Sequence, residues 1–108
     1  MQGRGSDSAA TGALVTWRTD VDALSFRPEG HSGICMVHRH AFRTLLKRMP
    51  TPEECAAFFH AEETAFHVAA LAKIARTGLA ADANLHLTSR DLARAIAKLA
   101  VASREQNS

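Results

Sequence analysis

The stretch from Thr51 to Gly78 constrains this chain more than any other, because it carries a helix start, a helix stop and apolar residues on nearly every side between them. In TPEE, Thr51 is placed as N-cap, Pro52 takes the first helical position, and Glu54 is positioned to complete a capping box. The acids also oppose the positive end of the helix dipole. Gly78 suits the left-handed conformation that closes a helix, so the spacing predicts one long helix from Pro52 to Thr77. One stripe of it is Cys55, Phe59, Phe66 and Ala70, and a second is Ala57, His60, Thr64, His67, Leu71 and Ile74. Such a helix is expected to pack on two sides, its second contact being the sheet, another helix or a second subunit.

The residues before it supply a layer to cover it. ALVTW (13–17), ALSF (23–26) and GICMVH (33–38) are short apolar runs separated by turn-forming Asp, Pro and Gly, which predicts an antiparallel meander. RPEGHSG, with Pro28, Gly30 and Gly33, suits a hairpin loop wider than two residues, and His31 falls in it. From His40 the period changes: Phe42, Leu45, Leu46 and Met49 line one face of a short helix that Pro50 and Pro52 stop. Beyond Gly78, NLHL (84–87) reads as a fourth strand. TSRD repeats the capping pattern with Thr88 and Asp91 and launches a helix burying Leu92, Ile96 and Leu99. The expected class is α+β: an N-terminal antiparallel β-meander packed on a long central helix, with a short helix before it and a C-terminal helix after a short fourth strand.

With 108 residues and 46% apolar content, the chain forms one domain with a modest core, expected over 13–102. Residues 1–12, with three glycines and no apolar periodicity, read as a flexible tail, and 103–108 as a frayed one. No apolar leader follows a basic start, and no run approaches the roughly 20 apolar residues that span a bilayer, so the expected location is the cytoplasm, away from membranes. Cys35 and Cys55 form no Cys-x-x-Cys pair and are expected to be free, buried thiols. The net charge is only +2, but Arg39 to Arg48 holds four cations without an acid, and Glu53 to Glu63 four acids without a cation. A dedicated duplex binder carries a larger basic excess, so nucleic acid is not the favoured partner.

Three clusters are candidates for chemistry. In a strand His38 and His40 would share a side and present two imidazoles to a metal, but the helical period begins at His40. His60, Glu63 and His67 share a face of the long helix, although two turns, about 10 Å, separate the imidazoles if the helix is straight. A metal there would need His38, His86 or another chain to join in. No cofactor and no catalytic residue is assigned: Glu53 and Glu54 work against a reactive Cys55 thiolate. Arg39, Arg43 and Lys47 recur every four residues on the first helix, as do Arg90, Arg94 and Lys98 on the last. Facing the same way, the two lines would form an anion-binding surface for nucleic acid or an acidic partner; facing apart, each is the solvated side of an amphipathic helix. Trp17 is the only tryptophan, no tyrosine is present, and the five phenylalanines fall mostly in apolar stripes, which offers single strands little to stack on.

AAFFHAEETAFHVAALAKIAR, then Gly78, then NLHLTSRDL resembles the C-terminal half of the small bacterial family known as domain of unknown function 1488. The positions that carry the resemblance are Phe59, Phe66, His67, Ala70, Arg76, Leu87, Thr88 and Asp91, and LSFRPEG with GICMVHRHAF is similar to the family's earlier strands and helix start. Where the family has a basic residue midway along the long helix, this chain has Glu63. The resemblance spans roughly residues 23–95 and implies a small α+β fold, with no activity or cofactor attached to it. The favoured function is a non-enzymatic interaction module, probing its own kind or another protein, with self-association through the two-sided helix as homodimer. A nucleic-acid accessory using the basic helix faces and a His-dependent metal-binding protein stay open beside it.

Overall fold

A computed structural model describes residues 15–107. The elements run β1 (Thr16–Arg18), β2 (Ala23–Phe26), β3 (Cys35–His38), α1 (Arg39–Leu46), α2 (Pro52–Ala61), α3 (Glu63–Thr77), β4 (Leu85–Leu87) and α4 (Ser89–Asn107). The class is α+β, with a four-stranded sheet in the order β1-β2-β3-β4. The first three strands form the antiparallel meander, whereas β4 joins β3 in parallel, with Cys35 opposite Leu85 and Val37 opposite Leu87. Leu24, Phe26, Cys35, Val37, Leu85 and Leu87 alternate onto one face and are all buried, as a strand period of two requires when helices cover that face. Phe42, Phe59, Phe66 and Leu92 bring the helices onto it.

The expected tail at 1–12 and residues 13 and 14 of the first predicted strand lie outside the described residues. At the other end, α4 continues through Asn107 rather than ending near 102. Arg, Glu and Gln are good helix formers, so nothing in REQ stops the helix.

α2 begins as its sequence dictates. The Thr51 hydroxyl accepts from the Glu54 N–H at 3.1 Å, the Glu54 carboxylate accepts from the Thr51 N–H at 2.9 Å, and Pro52 sits in the first turn. Arg48 closes on the same carboxylate with two bonds of 2.9 and 3.0 Å. These contacts hold Glu54 well down, at about 2, with the Arg48 hydrogen bond the main cause.

The long helix is not a single straight rod. It bends at Glu62, whose backbone leaves the helical region at φ −117° and ψ 30° and whose N–H is shared between the Phe58 and Phe59 carbonyls at 3.0 and 3.2 Å. The cause lies in the aromatic residues. Seven residues of straight helix rise about 10.5 Å, yet the Phe59 and Phe66 rings lie 4.9 Å apart, and Phe58 and Phe66, eight residues apart, lie at 6.0 Å. Bending lets α2 and α3 place three phenylalanines in one cluster with Phe42 and Phe26, where their mutual burial outweighs one weakened helical turn. α3 then ends as expected: Gly78 is left-handed at φ 66°, and its N–H bonds the Ile74 carbonyl.

The parallel placement of β4 depends on two loops gripping each other. Ser32 donates its N–H and hydroxyl to the Ala81 carbonyl at 2.9 and 3.0 Å, and the Asn84 side chain accepts the Ile34 N–H at 2.9 Å. Buried His31 bonds the Ala83 carbonyl from Nε2 at 2.7 Å, which makes Nε2 the protonated nitrogen. Gly33 lies between these strands of chain: a Cβ there would overlap the Ala83 carbonyl and press on the His31 ring. Leu85 then enters the sheet by donating to the Ile34 carbonyl at 3.0 Å.

Candidate functional site

α3 turns Ala65, Phe66, Ala69 and Ala70 into the core, which fixes what faces outward. One outward line of α3 consists of Thr64, half-buried Val68, Leu71, Ala72 and Ala75, none of them charged, with exposed Arg76 at its edge. Leu71, in the middle, is 45% exposed. Of the cations on α3, Lys73 is turned inward to donate to the Asp91 carboxylate at 3.0 Å and the His86 carbonyl at 2.7 Å, while half-exposed Arg76 flanks the ridge and reaches toward Asp91 at 3.6 Å. The second stripe expected from the sequence is broken up: Ala57 and His60 lie before the bend, His67 turns into the cleft beside it and Ile74 packs on the core, so only Thr64 and Leu71 of it belong to this ridge.

A groove runs along each side of this ridge. On one side a cleft of about 590 Å³ opens between α3 and the β2–β3 loop, with Arg27, Glu29, Glu63 and His67 above Val68 and Leu71. His67 is well fixed: Nδ1 accepts the Glu29 N–H at 3.3 Å, leaving the proton on Nε2, which faces the Glu63 carboxylate at 3.6 Å. The Phe26 ring meets it edge-on at 5.3 Å. On the other side a smaller hollow of about 60 Å³ lies between α3 and α4, with buried Ala69 and Ala95 beneath it, Val68 and Ala72 at its edge and Arg76, Asp91, Arg94 and Lys98 around it. Asp91 is already engaged by Lys73 and by Arg76 at 3.6 Å, while no ion pair joins Arg94 or Lys98 to a carboxylate among the described residues. One groove therefore carries two carboxylates against one guanidinium, and the other carries surplus positive charge.

Compared with known protein families, curated proteins and solved structures, the chain matches none.

The histidines separate into two places. Glu63 and His67 meet in the cleft, but His60 lies on α2, before the bend, exposed and against the Phe59 ring at 5.5 Å. His38 and His86 come together from β3 and β4, their rings parallel within 8° at 5.1 Å, with His38 Nδ1 bonded to the Val21 carbonyl at 3.3 Å. Burial, His38 and Lys73 all push the His86 pKa down, which favours a neutral His86 ring in this stack. His40 sits on the first turn of α1 and is exposed, so it does not share a strand face with His38. Among the described residues no group of three or more His, Cys, Asp or Glu side chains is placed to hold a metal ion.

The basic line expected on the first helix is broken. Arg39 donates from Nε to the Pro50 carbonyl at 2.7 Å and pairs with Asp22 at 3.6 Å, tying the start of α1 to its stop and to the β1–β2 turn. It therefore does not begin a solvated face. Lys47 caps the helix in a left-handed conformation at φ 68°, off the line of Arg43. On α4, Arg90, Arg94 and Lys98 are all exposed. The sequence singled out neither Arg27 nor Glu29; the available signal was Pro28, whose burial turns its two neighbours outward.

Both cysteines are free and lie in the core. Burial pushes the Cys35 thiol up to about 12 and the Cys55 thiol up to about 11. At pH 8 a thiol-specific reagent is accordingly expected to leave the native protein unlabelled and to titrate both thiols in urea; rapid labelling of the native state would show Cys55 to be accessible and activated.

Proposed function

We propose that the protein is a non-enzymatic interaction module that self-associates through the outward face of α3. The observation that carries this is the uncharged ridge centred on Leu71. A helix that ends its packing at one face turns polar residues to water on the other, whereas this one presents Val68, Leu71, Ala72 and Ala75. An exposed leucine flanked by small uncharged residues on a helix face suits an interaction site, and a second copy joined by a two-fold axis is the commonest occupant. Kinship with the domain of unknown function 1488 family and a cytoplasmic setting belong to the same proposal. The first is supported by the order of strands and helices and the Leu87-Thr88-x-x-Asp91 joint, the second by two free thiols. No helix among the described residues is long and apolar enough to cross a membrane.

Light scattering coupled to gel filtration tests the proposal. The wild-type chain is expected to run as a dimer at micromolar concentration and Leu71→Glu as a monomer with an unchanged helical spectrum, since an exposed substitution alters stability by only about 0.5 kcal/mol. A wild-type monomer throughout that range would exclude self-association as the function. The exposed cations of α4 favour nucleic acid as a second reading; salt-sensitive binding lost on reversing Arg90 and Arg94 would establish it.

A further inference from the structure

The two grooves beside the α3 ridge carry opposite charge, and this selects the symmetry of the pairing. We infer that two copies associate about a two-fold axis running along α3, so that Arg94 and Lys98 of each enter the Glu29 and Glu63 cleft of the other. The inference rests on the self-association proposed above and specifies its geometry. Consider the two ways a dyad can relate facing ridges. An axis perpendicular to both helices makes them antiparallel and brings each groove against its own copy, cations on cations and carboxylates on carboxylates. An axis parallel to the helices makes them parallel and exchanges the sides, so the basic groove of one copy lies against the acidic cleft of the other, twice.

The structure holds what the second arrangement needs. Val68 borders both grooves, so the ridge is only one side chain wide there, and long cationic side chains from a facing copy can reach past it. Lys98 borders the same hollow as Val68, and Glu63 and His67 lie on the same stretch of α3 in the cleft, so the opposed charges fall at a similar height along the axis. The cleft of about 590 Å³ has room for two such side chains, while the basic hollow of about 60 Å³ has room for none. The apolar ridge supplies the attraction, and the charges decide the orientation by penalising the alternative.

Charge reversal tests this on the full chain by light scattering and native mass spectrometry. One variant carries Glu29→Lys and Glu63→Lys, so both grooves are basic; the other carries Arg94→Glu and Lys98→Glu, so both are acidic. Each alone is expected to be monomeric at a concentration where the wild type is dimeric, with a Kd weakened at least tenfold. Mixed in equal amounts they are expected to form a one-to-one heterodimer, which also demonstrates that both are folded. Variants that dimerise as the wild type does, or a mixture that stays monomeric, would overturn this geometry while leaving self-association standing. A monomeric wild type would overturn both.

Discussion

Phe66→Ala is expected to destabilise the fold by about 3–5 kcal/mol, the cost of removing a fully buried phenylalanine and leaving the space unfilled. Phe66 is wholly buried and is the ring on which the others converge, with Phe59 at 4.9 Å, Phe42 stacked at 5.9 Å, Phe58 at 6.0 Å and Phe26 at 6.1 Å. Four neighbours cannot all move inward, because each is anchored on a different element or on the other side of the bend. Domains of this size have only about 5–15 kcal/mol in total, so the variant would lose a large share of its stability. Urea unfolding followed by far-ultraviolet circular dichroism should show a lower midpoint with an unchanged slope. Phe66→Leu is expected to cost less than half as much, since it retains most of the buried surface. Equal losses for the two variants would mean that ring contacts rather than volume hold the bend.

Asp91→Ala is the second large effect, about 2–4 kcal/mol, because one nearly buried carboxylate serves three elements. Its side chain is 10% exposed and accepts the Thr88 N–H at 2.9 Å, completing the cap of α4, and the Lys73 ammonium at 3.0 Å, which joins α3. Lys73 in turn donates to the His86 carbonyl on β4. Alanine removes the cap and leaves the Lys73 charge partly buried without its partner. Burial alone would raise the Asp91 pKa, but the hydrogen bonds from Thr88 and Lys73 outweigh it and the value is lowered. A folded pKa below the unfolded one means that the stabilisation is complete above the ordinary carboxylate range and is lost as pH falls through the folded value. Acid unfolding should show this: the stability difference between wild type and Asp91→Asn is expected to shrink as pH drops below about 4. A difference that holds constant to pH 2 would assign the effect to packing instead.

Features set by neighbours in sequence could be read from it. The second strand at Ala23–Phe26, both capping boxes, the Gly78 stop and the buried stripe of Cys55, Phe59, Phe66 and Ala70 were read from local periodicity and capping chemistry. Features set by distant contacts were not legible. Nothing local in AEE marks a bend; it follows from Phe42, Phe58 and Phe66 meeting, which only the folded chain brings about. Arg39 matched a solvated basic line by spacing, yet the Pro50 carbonyl eleven residues on claims it. His31 had no visible partner because Ala83 is fifty-two residues away. The same holds for the site: only Thr64 and Leu71 of the outward ridge were legible, because the bend shifts which face of α3 looks outward, and the opposed charge of its flanks required the β2–β3 loop and α4 to be placed beside it.

The parallel strand has a consequence for how the chain comes off the ribosome. β3 is complete at His38, but the strand that covers its free edge is not made until residues 39–84 have been synthesised and folded across. A parallel neighbour always demands such a crossover, and closing it waits on the intervening helices. Until Leu85–Leu87 arrives, the nascent meander exposes the unpaired backbone of β3, a template for pairing with other chains. The loops around Gly33 and Ala83 can grip each other only once Ala83 has been made, so the final third of the chain shields an edge that the first third creates.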